Sequence, residues 1–223
     1  MNVEIKQHWE TIYQTKQPNE VSWTEEKPSV SLDLIHSFNP SKSAKIIDIG
    51  GGDSKLADYL LDEGYTDISV LDISEAAIER AKKRLGKKSN QITWIVQDVL
   101  DFKPKEQYTI WHDRAAFHFQ TEEKTINSYL NLVSNAVSGN VIVGTFSTDG
   151  PTKCSGLDVK QYDEKGMKSR FESKAFKNIL CKRENHMTPM GAIQNFVFCL
   201  FKKVWVDHGL EYKNPWMIFM ILV

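Results

Sequence analysis

The pattern of apolar and polar positions along roughly the first two thirds of the chain predicts alternating strands and helices. Short apolar runs indicate buried strands, and the longer amphipathic stretches between them indicate helices. The predicted strands are Lys45–Ile49, Ile68–Asp72, Ile92–Val96, Tyr108–His112 and Asn140–Phe146, with helices at Ser54–Glu63, Ser74–Leu85 and Glu122–Ala136. This alternation predicts an α/β fold, a mostly parallel sheet with helices on both faces.

The segments on either side of this pattern differ from it. Before it, Val3–Gln17 is predicted as a helix that Pro18 ends, and Pro28 is placed to begin a second helix that runs to Phe38. After it we expect a long loop, a short helix and two final strands. These elements are Ser147–Tyr162, the helix near Glu164–Phe171, and the strands near Phe176–Arg183 and Gln194–Lys203.

Size, charge and cysteine content narrow the classes of protein. The 223 residues are 41% hydrophobic, enough for one substantial core. A formal net charge of −1 gives no strong nucleic-acid signal. Cys154, Cys181 and Cys199 are widely spaced, so we expect neither a disulfide framework nor a metal site. The first ten residues have no apolar core of a signal peptide, and a cytoplasmic protein is expected.

The C-terminus is unusually apolar. Residues 216–223 are eight apolar residues in a row, whereas a membrane-spanning helix needs about twenty. We expect residues 204–223 to form a tail that packs on the domain or on a second copy as a homodimer; an aggregation-prone tail is the alternative. The domain is expected to span residues 1–203, with a helical cover over 1–40 and the core over 41–203.

The turn after the first predicted strand carries the strongest functional signal. Asp48-Ile49-Gly50-Gly51-Gly52-Asp53 is followed by a helix, and the second strand ends in Asp72. A glycine turn lets a ligand approach the backbone, and an acid on the second strand can accept hydrogen bonds from a ribose. Lys55 in the third glycine slot disfavours NAD, as does Asp48, which would repel a pyrophosphate but attract a cationic ligand. The alternative is a tight turn that binds nothing.

These residues resemble the class I S-adenosylmethionine-dependent methyltransferases, whose first motif matches Asp48-x-Gly50-x-Gly52 and whose ribose-binding acid matches Asp72. The resemblance implies a Rossmann-like sheet of seven strands, mostly parallel, with an antiparallel last strand. It also implies S-adenosylmethionine as the cofactor, bound at the ends of the first three strands. The positions concerned are Asp48, Gly50, Gly51, Gly52, Asp53, Asp72, Ile73, Gln97, Asp98 and Val99. For Asp98 a turn or helix cap is the alternative.

The fourth strand ends in a second motif. Asp113-Arg114-Ala115-Ala116-Phe117 resembles a motif of two methyltransferase branches, the elongation-factor-type lysine methyltransferases and the thiopurine S-methyltransferases, with Ala115 in place of the usual Gly. The resemblance implies that Asp113 lies beside the reacting methyl group as a candidate catalytic residue. The alternative is that Asp113 pairs with Arg114 or another base and only orders the loop.

Several other side chains are candidates at the site. His112 is counted among the cofactor-side residues, although hydrogen-bonded packing is the default for it and for His118. His186 is expected in the connection between the last two strands, and Cys154 in the long loop, where no activating partner is recognisable. The substrate-side candidates are Arg114, His118, Cys154 and His186.

Three aromatic residues precede the core. Trp9 and Tyr13 are four positions apart and share one face of the first predicted helix, and Trp23 follows it. The resemblance implies that this segment closes over the cofactor and helps to form the acceptor pocket. The alternative is packing on the sheet, which we favour for Trp9.

The function expected from these residues is methyl transfer from S-adenosylmethionine to a nitrogen, sulfur or oxygen nucleophile of a small molecule. The alternatives are a protein lysine methyltransferase and, from another class, a non-catalytic S-adenosylmethionine-binding regulatory protein. A closed aromatic pocket would favour a small molecule, and an open channel ending in carboxylates would favour a lysine. No metal is required, because a dry site that aligns donor and acceptor does most of the catalysis.

Overall fold

The computed structural model describes residues 3–204. Within them the helices are α1 (Val3–Thr15), α2 (Ser29–His36), α3 (Leu56–Asp62), α4 (Glu75–Leu85), α5 (Glu123–Ala136) and α6 (Glu164–Glu172). The strands are β1 (Ile46–Ile49), β2 (Ile68–Asp72), β3 (Ile92–Val96), β4 (Tyr108–Arg114), β5 (Val137–Phe146), β6 (Lys153–Cys154), β7 (Leu157–Asp158), β8 (Phe176–Met187) and β9 (Ile193–Lys203).

Seven of these strands form one sheet in the order β3-β2-β1-β4-β5-β9-β8. Strands β1 to β5 run parallel, and β9 runs antiparallel to both of its neighbours. The mostly parallel seven-stranded sheet with an antiparallel last strand is therefore confirmed. The strand order reverses between β1 and β4, which is where open α/β sheets bind ligands.

Two apolar layers cover the two faces of the sheet. Successive strand residues point to opposite faces: Ile110 joins the layer that contains α2 and α3, and Trp111 joins the layer that contains α5 and α6. The same alternation continues to the end of β4, so His112 and Arg114 face one side and Asp113 the other. This division decides which of the three can reach a ligand.

The last third of the chain differs most from the prediction. The expected long loop contains the two-stranded ribbon β6–β7. Residues 184–187, expected in a connection, belong to β8 because β9 pairs with β8 as far as Met187. His186 is therefore a strand residue, and the turn between the two strands is confined to residues 188–192.

The prediction that the cysteines form no disulfide was wrong. Cys181 and Cys199 are directly opposite on β8 and β9 and form a disulfide bond. Sequence spacing hides this pair because antiparallel strands bring together residues far apart in the chain. Cys154 is free and buried.

No helix within residues 3–204 is long and apolar enough to cross a membrane. The apolar tail and its expected packing on the domain or on a second copy fall on residues outside the described range, apart from the exposed Val204.

Candidate active site

A cavity of about 870 Å³ lies above the carboxyl ends of β1 to β4, under α1 and the segment 18–28. This volume is within the range of ligand pockets. Most of the residues expected at the site line it: Trp9, Tyr13, Trp23, Asp48, Gly50, Gly51, Asp53, Asp72, Ile73, Gln97, Asp98, Val99, His112, Arg114 and Cys154. Gly52, Asp113, His118 and His186 are not part of its wall.

The turn after β1 is built so that only glycine fits. Gly50 and Gly52 have φ angles of 64° and 44°, which L side chains rarely adopt. A Cβ on Gly51 would lie 2.6 Å from Asp48 Oδ2, and one on Gly52 would lie 2.8 Å from the Tyr13 hydroxyl. This tight turn brings Gly50 and Gly51 to the wall of the cavity.

Three carboxylates give this end of the cavity a negative potential. Burial, with the nearby charges of Asp53 and Asp48, raises the pKa of Asp72 to about 7. Asp72 accepts a hydrogen bond from Ser74 N at 2.8 Å, and Arg80 Nη1 lies 3.2 Å from Asp53 Oδ2. Arg80 pairs with only one of the three acids, and a cationic ligand next to Asp72 would favour the ionised form of its carboxyl group, so such a ligand would be stabilised here.

Asp98, after β3, has the geometry of a cap. Its Oδ1 accepts a hydrogen bond from Leu100 N at 2.9 Å and begins the short 3-10 turn Val99–Asp101. Because Asp98 also lines the cavity beside Gln97 and Val99, the capping role confirmed by this geometry is compatible with a ligand contact.

Helix α1 is fastened across the start of α4. Glu10 accepts hydrogen bonds from Ser74 Oγ at 2.8 Å and from Ala76 N at 3.2 Å. Arg80 of α4 donates to the Lys16 carbonyl at 2.8 Å and also to the Tyr13 carbonyl. Sequence reasoning missed Glu10 and Arg80, because nothing local shows that α1 and α4 meet.

Aromatic rings close the cavity from above. Trp9 lies 5.6 Å from Trp23 and 5.2 Å from Phe119 between ring centroids, and Tyr13 lies 6.0 Å from Trp23. We call Trp9, Tyr13, Trp23 and Phe119 the aromatic wall. The wall thus covers the space above the glycine turn with apolar ring surface.

Arg114 fixes the segment that carries Trp23. Its guanidinium donates to the Trp23 carbonyl at 3.0 Å and pairs with Glu25 Oε1 at 3.1 Å. His186 joins this network, because its Nε2 donates to the Ser22 carbonyl at 2.6 Å and its Nδ1 lies 3.3 Å from Glu25 Oε1. Burial alone would raise the pKa of Glu25, but His186 and Arg114 hold it below its usual value.

Asp113 does not reach the cavity, which corrects its expected place beside the methyl group. Its buried carboxylate accepts hydrogen bonds from Ala116 N at 2.9 Å, from Phe117 N at 3.1 Å and from the Tyr129 hydroxyl. Burial raises its pKa to about 6, against these hydrogen bonds. Asp113 orders the loop, as the alternative held, but through amides and a phenol rather than through Arg114.

Ala115 keeps the conformation of the glycine that it replaces. Its φ is 70°, in the left-handed region that favours glycine. The loop therefore has a conformation at this position that glycine would adopt more easily, and Ala115 adopts it at some cost in strain.

His118 and Cys154 have no features of a reactive group. Burial and the nearby Arg114 lower the pKa of His118 to about 3, and its Nε2 has no hydrogen-bond partner within the described residues. Burial raises the pKa of the Cys154 thiol to about 11. Cys154 lines the cavity as a protonated thiol, in agreement with the reading that it is no nucleophile.

His112 lies between an acid and a hydroxyl. Its Nδ1 is 2.7 Å from Asp48 Oδ1, and its Nε2 is 2.9 Å from Ser31 Oγ of α2. All three residues are buried, and all three line the cavity. Sequence reasoning did not find Ser31, because a lone serine in an amphipathic helix gives no signal. As for metals, no cluster of His, Cys, Asp and Glu suited to an ion occurs in the part of the chain that the structure describes.

Comparisons with known proteins agree with this geometry. Residues 46–138 match a family model described as a methyltransferase domain. The eEF1A lysine and N-terminal methyltransferase of Mus musculus is 29% identical over 92 residues, covering 41% of this chain and 13% of that protein. Malonyl-[acyl-carrier protein] O-methyltransferase 1 of Ilyobacter polytropus is 27% identical over 113 residues, covering 50% of this chain and 41% of that protein. The matched regions thus span less than half of these curated relatives.

Solved structures share the whole fold. A protein studied for the conversion of a disulfide bond into a thioacetal group during echinomycin biosynthesis superimposes with a TM-score of 0.72 and 15% identity, covering 90% of this chain and 93% of that one. The 1,6-didemethyltoxoflavin-N1-methyltransferase of Burkholderia thailandensis, with bound S-adenosylhomocysteine, gives a TM-score of 0.67 and 13% identity, covering 90% and 88%. Residues 46–138 are thus similar to a methyltransferase domain, and residues 3–204 have the fold of solved methyltransferases.

Proposed function

We propose that this protein binds S-adenosylmethionine in the cavity and transfers the methyl group to a nucleophilic nitrogen, sulfur or oxygen atom of a small molecule. The observation that carries the proposal is the cavity itself, in which the aromatic wall lies over an acidic glycine turn. When bound, S-adenosylmethionine supplies an electrophilic methyl group on a sulfonium.

The residues at the glycine turn fit this cofactor. A nucleoside with an ammonium and a sulfonium matches the negative potential of Asp48, Asp53 and Asp72. Asp72 is placed to accept hydrogen bonds from the ribose hydroxyls, and ionisation of its carboxyl group strengthens those bonds. Gly50 and Gly51 line the cavity without side chains, which would allow close approach of the amino-acid part of the ligand.

The aromatic wall contributes by positioning and by exclusion of water. Indole and phenyl faces attract a cation through their quadrupole, and the attraction grows when the site is dry. Trp9, Trp23 and Phe119 thereby hold the sulfonium and the acceptor in a fixed relation, and such alignment supplies much of the rate of a displacement reaction.

Three acids of the cavity wall are already paired with a base, which favours a small molecule over a lysine. Glu25 pairs with Arg114 at 3.1 Å, Glu26 with Lys55 at 2.6 Å, and Asp158 with Lys153 at 3.1 Å. Carboxylates that are already paired with a base are weak partners for a lysine ammonium. The aromatic wall over the cavity also restricts the approach of a bulky chain.

The test uses the purified full chain with methyl-labelled S-adenosylmethionine and a cell extract divided into small molecules and macromolecules. We expect label in a small organic product and none in protein, and less label with the Asp72→Ala variant at a cofactor concentration that does not saturate it. Label in protein side chains would support lysine methylation instead. Calorimetric binding of S-adenosylhomocysteine without any transfer would support the non-catalytic alternative.

A further inference from the structure

We infer that Ser31, His112 and Asp48 form a proton-accepting array for the methyl acceptor, in which the Ser31 hydroxyl contacts the acceptor and the other two residues act through it. The inference deepens the proposed methyl transfer and rests on it. Three buried side chains from α2, β4 and β1 meet here, and all three open onto the cavity.

For a neutral His112 ring, only one tautomer satisfies the hydrogen bond to Asp48. Asp48 and His112 are direct neighbours in the register of β1 and β4, and the Asp48 carboxylate can only accept a proton from Nδ1 at 2.7 Å. With Nδ1 protonated, neutral His112 presents a lone pair at Nε2. The Ser31 hydroxyl, 2.9 Å away, therefore donates to Nε2.

This arrangement leaves the Ser31 oxygen as an acceptor. Its one hydrogen goes to His112, and no other hydrogen bond to Oγ occurs among the described residues. Its free lone pairs suit an N–H, O–H or S–H group of a molecule in the cavity. Asp48 keeps the imidazole oriented and stabilises the imidazolium that forms, as the acid does in hydrolytic triads.

The array lies where the reaction would take place. In the sheet order, Asp98 and Asp72 mark the adenosine end above β3 and β2, and Arg114 and Glu25 mark the acceptor end beyond β4. His112 and Asp48 lie between these ends. Glu25 is a poor proton acceptor beside Arg114, and Cys154 is a protonated thiol. His112 is thus the best placed base.

The proton and electron balance is simple. The acceptor atom forms a bond to the methyl carbon while the bond from that carbon to the sulfonium sulfur breaks, and its electron pair stays on sulfur. The acceptor proton passes to Ser31 Oγ as the Ser31 proton passes to His112 Nε2. The imidazolium beside Asp48 then loses its proton to water after the product leaves.

The first experiment measures the ligand-free protein. Nitrogen-15 NMR of the histidine rings should show His112 as the neutral tautomer with hydrogen on Nδ1. Ser31→Ala should shift the Nε2 resonance and leave Nδ1 protonated. A ring that is protonated at both nitrogens, or only at Nε2, would overturn the inference without touching the proposed function.

The second experiment measures the rate of methyl transfer from labelled S-adenosylmethionine to the small-molecule fraction. It compares the wild type with its variants across pH 5.5 to 9. Ser31→Ala should lower the rate of label transfer about 100- to 1000-fold, in the range of general-base effects. It should also flatten the acidic limb of the pH profile of this rate. Ser31→Thr keeps a hydroxyl and should restore much of the rate. The matched control is Ser37→Ala, which removes a serine that donates to the Leu34 carbonyl near the end of α2.

Calorimetry with S-adenosylhomocysteine separates this inference from a structural role. Ser31→Ala should change its affinity less than threefold, because the array serves the acceptor. A parallel loss of affinity and rate would mean that Ser31 only fastens α2 to the sheet, and would overturn the inference. A rate and a pH profile of Ser31→Ala that equal those of the wild type would also overturn the inference. The charged or titratable groups near the array are Asp53, Asp72, Asp113, Arg114, Glu25, Cys154 and His186, and none of these experiments changes any of them.

Discussion

The ends of β2 and β4 carry two acids, Asp72 and Asp113, that have similar positions in the sequence but different surroundings in the structure. Asp72 and Asp113 both terminate or nearly terminate parallel strands, both are buried, and burial raises the pKa of both. Asp72 faces the cavity and keeps hydrogen-bonding capacity for a ligand. Asp113 faces the apolar layer, and two amides and a phenol occupy it.

The difference between these acids shows that a strand end is not sufficient to make a site residue. Strand alternation decides whether the side chain faces the ligand or the core. The number of donors already bound then decides whether the carboxylate can bind anything else. By both criteria Asp72 is available to a ligand in the cavity, whereas Asp113 serves the fold.

The largest expected effect is on stability. Asp113→Ala leaves two amides and the Tyr129 hydroxyl buried without an acceptor, so the free energy of unfolding should fall by about 3–4 kcal/mol. Urea denaturation measures this change. Asp62→Ala, which removes an exposed pair with Lys88, is the control and should change stability by less than about 0.5 kcal/mol. A stable Asp113→Ala variant with no methyl transfer would instead indicate a catalytic role for Asp113.

The second prediction concerns pH. Asp72 titrates near its ordinary value of about 4 in the unfolded chain and at about 7 in the folded protein, so between these values the unfolded state binds fewer protons. The contribution of Asp72 protonation to stability is fully present below about pH 4, and it is lost as the pH rises through the folded-state pKa of about 7.

The free energy of unfolding should therefore fall with rising pH by roughly 1 kcal/mol per unit in this window. Asp72→Asn carries no titrating proton, so its stability relative to the wild type should rise over the same window. Denaturation of the ligand-free proteins at several pH values gives this difference, and equal slopes would contradict the shifted pKa of Asp72.

The third prediction is cofactor affinity. Asp72→Asn removes a charged hydrogen-bond acceptor for the ribose and should weaken S-adenosylhomocysteine binding by about 1.5–3 kcal/mol, or roughly 10- to 150-fold. Calorimetric titration checks it. Asp113→Asn, where folded, should bind like the wild type, and a reversed order of the two affinities would invert the roles of these acids.

The smallest expected effect is at the motif loop. Ala115→Gly should relieve the left-handed strain of roughly 1–2 kcal/mol but increase the freedom of the unfolded chain, for a net gain of about 0.5–1 kcal/mol. Ala76→Gly, inside α4, should destabilise by about the same amount. Thermal unfolding of both variants compares them, and a loss of stability in Ala115→Gly would contradict the strain.

The sequence indicates the cofactor half of the molecule well and the acceptor half poorly. The bounds of β2 and β3 agree with prediction because both are short apolar runs between turn residues. Strand β4 was expected to end at His112, and its two further residues decide that Asp113 turns inward. Glu10, Arg80, Glu25 and Ser31 acquire their roles from contacts between distant segments, which no local pattern records.

The hydrogen bond between the Ser22 carbonyl and His186 joins residues 164 positions apart in the chain, and it has a consequence for the order of synthesis. A ribosome releases the strands of the glycine-turn region long before it makes β8. The segment 22–25 cannot take its final place until His186 has emerged and the β8–β9 pair has formed, because contacts of long range form late. The newly made protein therefore acquires its acceptor end last.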